Sequence, residues 1–239
     1  PLSPAESLKQ LTVLDGFRVE LVAHEPLVVD PVAMAFDESA ALFVVCMRGY
    51  SEQGGDFLGQ VRRLVDHDGD GFYDASTVFV DHLSWPTAVL PWDGGVFIGA
   101  APYIFYAKDH DGDGHADSQK VVFSGFSRSN VQGLLNSFRW GLDNRIHGSA
   151  SRSGGHVQTV GETHVPITLN RRNFAFNPRD RVFVATSGGA QHGFSFDDWG
   201  HKFLSANSRH LQMVFAEEHY LKRNLQLAVE STRRVLSLI

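Results

Sequence analysis

The chain has 239 residues, with 21 Lys and Arg against 27 Asp and Glu for a formal net charge of −6, 43% hydrophobic residues, 23 Gly, 9 Pro and one Cys. That hydrophobic share supports a folded core in one large or two ordinary domains and excludes disorder, and the longest apolar run, residues 40–47, is too short for a membrane-spanning helix. A single Cys excludes an intrachain disulfide, a Cys-rich zinc site and c-type haem attachment, and the scattered Lys and Arg of an acidic chain argue against nucleic-acid binding.

Starting at Pro1 without Met or an apolar leader, the sequence reads as a processed product or a cut fragment. Ser3-Pro4-Ala5-Glu6 combines a capping hydroxyl, Pro at the first helical position and a Glu three residues after the cap, which predicts a helix from residue 4 to about 11. Short runs rich in Val, Phe, Ile and Leu follow, bounded by Gly, Asp, Asn and Pro; residues 17–22, 32–36, 41–47, 96–100 and 181–186 read as strands. One pattern recurs four times: a polar or Pro lead-in, an apolar strand, a turn and a second apolar strand. The copies begin at Asp30, Trp85, Asn130 and Gln191, about 55, 45 and 61 residues apart, near the period of a propeller blade with loop insertions. The expected fold class is all-β, a β-propeller with about four blades from a six- or seven-bladed ring, with a two-sheet sandwich as the rival. The expected division is a helix and lead-in over 1–14, blades over 15–215, and a tail over 216–239 set apart by Glu217, Glu218, Lys222, Arg223, Arg233 and Arg234.

Two acidic loops are the most specific local signal. Asp66, Asp68, Asp70 and Asp74, and likewise Asp109, Asp111, Asp113 and Asp117, occupy positions 1, 3, 5 and 9 of a loop with Gly at positions 4 and 6. That spacing lets a tight turn wrap carboxylate oxygens around a hard cation, and calcium is the expected ion. Position 12 is Thr77 or Lys120, not the bidentate Glu of a sensor loop, so structural clips are expected. Two divalent ions would take the net charge from −6 to −2. The loops start 43 residues apart, which predicts equivalent hairpins on neighbouring blades.

Propellers bind small molecules where their inner strands converge, and Arg48, Arg128, Asn130, Gln132, His147, Gln191, His192, Asn207 and Arg209 fall near those strands. Arg128, Asn130, Gln132 and Gly133 form a set suited to a planar ligand rich in carbonyl or carboxylate groups. His192, on a Gly-flanked turn, is a candidate base for a hydroxyl proton. Cys46 reads as a buried small hydrophobe.

Taken together, Asp15-Gly16-Phe17-Arg18-Val19-Glu20, Met47-Arg48-Gly49-Tyr50, the two acidic loops, Ser84-Trp85-Pro86-Thr87, the Arg128 to Gly133 stretch, Phe138-Arg139-Trp140-Gly141 and Gln191-His192-Gly193 resemble the membrane-bound dehydrogenase domain family abundant in planctomycetes and verrucomicrobia, a propeller related to the glucose/sorbosone dehydrogenases. The resemblance implies an extracytoplasmic, periplasmic or extracellular, oxidoreductase acting on sugar or alcohol hydroxyls with pyrroloquinoline quinone. It implies that Arg128, Asn130, Gln132 and Arg48 contact the cofactor, that His192 takes the hydroxyl proton, and that a cytochrome c could accept electrons. Ser129 separates Arg128 from Asn130, where the soluble quinoprotein enzymes have no such insertion. The alternatives are a non-catalytic propeller that binds glycans or proteins through Trp85, Trp140 and its Arg-rich channel, and a lactonase-type propeller, which the lack of Glu beside the inner strands disfavours.

Overall fold

The computed structural model describes residues 2–223, 226 and 232–237. Ser3 opens the first element as expected: its hydroxyl accepts the Glu6 N–H while the Glu6 carboxylate takes the Ser3 N–H, closing a capping box around α1 (Pro4–Lys9). Residues 17–22 correct an expectation, because they form no strand. Phe17 is 72% exposed, and no sheet includes the segment, whose Val22 carbonyl accepts the Tyr73 N–H at 2.8 Å; apolar β-formers need a partner strand as well as composition.

From residue 31 onward the short apolar runs pair into antiparallel sheets. The first holds β1 (Pro31–Phe36), β2 (Leu42–Cys46), β3 (Gly59–Val65) and β4 (Ala75–Leu83) in that order. The second continues with β5 (Ala88–Trp92), β6 (Gly95–Ala100), β7 (Tyr103–Lys108) and β8 (Ser118–Phe126). The third uses β9 (Asn136–Trp140) and β10 (Ile146–Ser149), then leaves for a hairpin, β11 (Gly155–Thr159) and β12 (Ile167–Thr168), before returning as β13 (Asn173–Phe176) and β14 (Phe183–Thr186). The fourth comprises β15 (Phe194–Phe196), β16 (Lys202–Ala206), β17 (Arg209–Val214) and, after the short α2 (Glu218–Leu221), β18 (Arg233–Ser237). Thus Arg233–Ser237, within the segment set apart at 216–239, is a strand of the fourth sheet.

These sheets are four blades of a partial β-propeller, each meandering outward from an inner strand, with β1, β5 and β9 side by side. Strands β2 and β6 are buried along their whole length. The core lies in the seams between blades. Phe97, Phe123, Phe126, Phe138, Phe174, Phe176 and Phe183 pack together between the second and third, and Phe43, Val45, Val61, Phe79, Val96 and Ile98 between the first and second. The fourth blade has a smaller cluster, Ala190, Phe194 and Leu204.

The β11–β12 hairpin belongs to the third blade in sequence and to the second in space, since β11 pairs with β8 and makes that sheet six-stranded. The crossing is close. A Cβ on Gly125 would collide with the His156 carbonyl and one on Gly155 with the Gly125 carbonyl, and both glycines have positive φ, 104° and 145°.

Candidate active site and metal loops

The inner strands of the first three blades and the turn leading into the fourth line a cavity of about 870 Å³. Its walls include Val32 and Met34 from β1, Ala88 and Val89 from β5, Phe138 and Arg139 from β9, and the Gln191-His192-Gly193 turn that leads into β15. Gln132, Asn207, Tyr50 and Asp30 add to its polar lining.

Two backbone features hold His192 in place. Asn130 accepts the Gln132 N–H through its side chain at 2.9 Å and caps a 3-10 turn over Val131–Gly133. That turn presents the Gln132 carbonyl 2.8 Å from His192 Nε2. A carbonyl can only accept, so Nε2 carries a hydrogen, and the tautomer this contact selects has its lone pair on Nδ1. The His192 turn itself is pinned by Asn136, which is 4% exposed. Asn136 Nδ2 donates to the Leu134 carbonyl at 2.9 Å and the Gln191 carbonyl at 3.0 Å, while Gly193 N–H donates to Ser137 Oγ at 3.1 Å.

Of the residues expected to contact a cofactor, Gln132 lines this cavity beside His192, and its Nε2 donates to Tyr50 Oη at 3.5 Å. Asn130 serves as the cap of the 3-10 turn. Arg128 points to another neighbourhood, where its Nη2 donates to Ser84 Oγ at 2.6 Å and its guanidinium lies 5.3 Å from the Trp85 ring centre. Trp85 in turn donates to the Gly49 carbonyl, so this stack clasps the loop after β2. Arg48 is exposed and, like Trp85 and Trp140, stands outside the cavity lining. Gln191 and Asn207 are brought together there, with the Asn207 N–H donating to Gln191 Oε1; His147 lines a different cavity. Asn136 and Ser137 escaped the sequence reading, and Arg139 entered it only within the Phe138 to Gly141 match, with no site role. Their signal was the alternation of buried Asn136 and Phe138 with exposed Arg139 along an inner strand.

Among its described lining residues the cavity offers the Arg139 guanidinium, amides from Gln132, Asn136, Gln191 and Asn207, hydroxyls from Thr87 and Ser137, the His192 imidazole and the Asp30 carboxylate, beside the apolar side chains of Met34, Val89 and Phe138. This donor set fits a planar group bearing carbonyls and carboxylates, with Arg139 as its cation.

The acidic loops connect β3 to β4 and β7 to β8, the same outer hairpin of neighbouring blades, as their spacing predicted. In each, three carboxylates converge: Asp66, Asp68 and Asp74 place one oxygen each within 4.8 Å of one another, and so do Asp109, Asp111 and Asp117. The fifth-position residues take other work, Asp70 accepting the Phe72 N–H and Asp113 the His115 N–H. Gly69 and Gly71 have φ of 76° and 92°, which lets their N–H groups reach the Asp66 carboxylate at 2.7 and 2.9 Å. The Gly71 bond is the main cause holding the Asp66 pKa below its usual value. Burial acts against the Asp109 carboxylate, yet the Gly112 and Gly114 N–H groups outweigh it and its pKa is also lowered. In each loop the first-position carboxylate is thus favoured in its charged form, the state that binds a hard cation. The second loop also laces the seam: Gly114 carbonyl accepts from Thr77 Oγ1 at 3.1 Å, and Ala116 N–H donates to the Phe79 carbonyl at 2.9 Å. Cys46 is fully buried, and that burial pushes its thiol pKa up, as befits a packing residue.

Among the described residues no helix is long and apolar enough to cross a membrane. Structural comparison finds the chain similar to the holo form of the PQQ domain of pyranose dehydrogenase from Coprinopsis cinerea, at 13% identity over 86% of this chain and 50% of that one, with a TM-score of 0.58. It is similar in the same way to the calcium structure of Trichoderma reesei Carbohydrate-Active Enzymes Family AA12, at 13% identity over 85% of this chain and 50% of that one, with a TM-score of 0.54. At such identities the likeness is one of fold. The chain spans about half the length of each. No curated protein matches its sequence significantly. The profile of the family described as a domain of unknown function (DUF7133) matches residues 3–238, nearly the whole chain, and the chain accordingly belongs to that family.

Proposed function

We propose that this propeller is the substrate-binding part of an extracytoplasmic dehydrogenase that oxidises a sugar or alcohol hydroxyl, with calcium in its two acidic loops and a quinone of the pyrroloquinoline class as cofactor. The observation that carries the reading is His192, fixed through Nε2 by the Gln132 carbonyl, with no partner for Nδ1 among the described residues, at a cavity lined by the inner strands of three blades and the turn that leads into the fourth. The resemblance to dehydrogenase propellers in the motifs around Tyr50, Trp85 and His192 points the same way.

In this reading Arg139 and the amides of Gln132 and Asn207 hold the cofactor's carboxylates and carbonyls, and Met34, Val89 and Phe138 exclude water from its face. When bound, such a quinone supplies the acceptor for a hydride. His192 Nδ1 takes the hydroxyl proton, and the Gln132 carbonyl steadies the imidazolium through Nε2–H, as a hydrogen-bonded orienting group does for other histidine bases. The Asn136 amide keeps the turn from shifting as charge develops. A cytochrome c is a suitable electron acceptor for the reduced cofactor, by the same resemblance.

The test is titration of the calcium-loaded chain with pyrroloquinoline quinone, followed by calorimetry and cofactor absorbance, then a sugar and alcohol screen with an artificial electron acceptor. Binding is expected in the wild type, lost in Arg139→Ala and kept in His192→Ala, with turnover lost in both. A folded chain that binds neither quinone nor substrate sinks the proposal. Carbohydrate binding without turnover in the presence of quinone would instead support a glycan-recognition module.

A further inference from the structure

A second cavity of about 490 Å³ lies between the third and fourth blades and shares no lining residue with the first. Its wall contains Lys202, only 4% exposed on β16. The Nζ donates to Thr186 Oγ1 at 3.2 Å and the Ser187 carbonyl at 3.5 Å, and sits 5.6 and 5.5 Å from the ring centres of Phe194 and Phe196. Among the described residues it forms no ion pair. Glu217, the acidic residue with the largest influence on it, accepts the Ser187 N–H instead. Beside it His147, 7% exposed, bonds Asp143 Oδ1 through Nε2 at 3.0 Å, and its buried Nδ1 has no partner.

Burying an ammonium costs several kcal/mol unless a carboxylate meets it, and a Met or Leu would fill this wall without that cost. A lysine kept dry between two phenyl rings, facing a cavity, is better explained by its amine. The geometry points to Lys202 as a nucleophile that captures an uncharged aldehyde or ketone as an imine in this cavity. Burial drives the Lys202 pKa down against the pull of Glu217 and Asp143, which favours the neutral, nucleophilic amine. In the reaction the nitrogen lone pair attacks the carbonyl carbon and the C–O π bond opens. Both N–H hydrogens then leave with the oxygen as water while the C=N bond forms. No oxidant or reductant is required. Leu142, Phe196, Val214 and Phe215 provide an apolar berth for the carbonyl compound, whereas Asp143 and Glu217 disfavour an anionic one such as a keto acid.

The chain carries its own reference, because Lys9, Lys120 and Lys222 are exposed and Lys108 half-buried. The intact chain is incubated at pH 7 with butanal and cyanoborohydride, sampled over time, digested and mapped by mass spectrometry. Lys202 is expected to gain the reduced adduct several-fold faster than any of the other four, and the preference should vanish in urea. In Lys202→Arg the adduct at this position disappears while the other four label as before. Replacing butanal with glyoxylate should slow Lys202 relative to the reference lysines. Label on the exposed lysines with Lys202 spared would overturn the inference from the wild type alone, whether or not the variant folds.

Discussion

Asn136 shows how a single buried amide can set a site. Its Nδ2 serves two carbonyls and its Oδ1 accepts the Ser137 hydroxyl, so truncation strands several buried groups at once. Asn136→Ala should lower stability by about 1 to 3 kcal/mol, read as a fall in the urea midpoint at unchanged slope. Any activity that depends on His192 should fall further than the folded fraction does. His147 makes a pH-dependent contribution. Burial is the main cause that lowers its pKa, with a smaller push from Lys202 to the extent that its amine is protonated, against the Asp143 hydrogen bond and the charges of Asp143 and Glu217. The folded chain therefore resists a proton that the unfolded chain accepts below its ordinary pKa of about 6.5. Stability from this residue is fully present above that pH and declines as the pH falls through it toward the lowered folded value. Urea unfolding at pH 7.5 and 5.5 should show the loss, and His147→Phe should flatten it; an unchanged slope in that variant would discard this account.

At the scale of elements, what was legible in the sequence was local. The capping box of α1, the strands of the blades and the two Asp-Gly loops each lie within about a dozen residues, so spacing alone carries them. The Arg128 to Gly133 stretch was legible as a polar motif but not in its division of labour. Arg128 is drawn away by Ser84 and Trp85, more than forty residues earlier in the chain. His192 meets the Gln132 carbonyl across 60 residues, a contact no local pattern encodes. The β11–β12 excursion was invisible for the same reason. Its two glycines make it testable: Gly155→Ala should cost about 2 kcal/mol or more, seen as a lowered thermal midpoint, because both the positive φ and the backbone opposite oppose a Cβ. The loops predict a ligand effect. Calcium at a hundredfold over its Kd should add about 2.7 kcal/mol per site, and chelator should remove it; with Asp109→Asn the gain at the seam between the first two blades should shrink. A melt indifferent to both calcium and chelator would discard the structural-ion role.

Across the whole molecule the packing is graded. The seams joining the first three blades hold long rows of buried Phe, Val and Ile, whereas the fourth blade's own cluster has, among the described residues, three buried apolar ones. Amides of β16 and β17 should therefore exchange with solvent before those of β6 and β13, and a reversed order in a hydrogen-exchange experiment would contradict the gradient. The site spans this gradient: Gln132 and Arg139 ride on the well-packed third blade, and His192 on the lead-in to the fourth.

Blades of a propeller are commonly thought of as interchangeable modules, each closing its own sheet. Here the strand beside β8 is made only after the third blade has begun, so a nascent chain halted near residue 130 would leave β8 an open edge, prone to mispairing. The second and third blades must consequently mature together. Shuffling or duplicating one without the other, by recombination or by design, would cut a shared sheet in two.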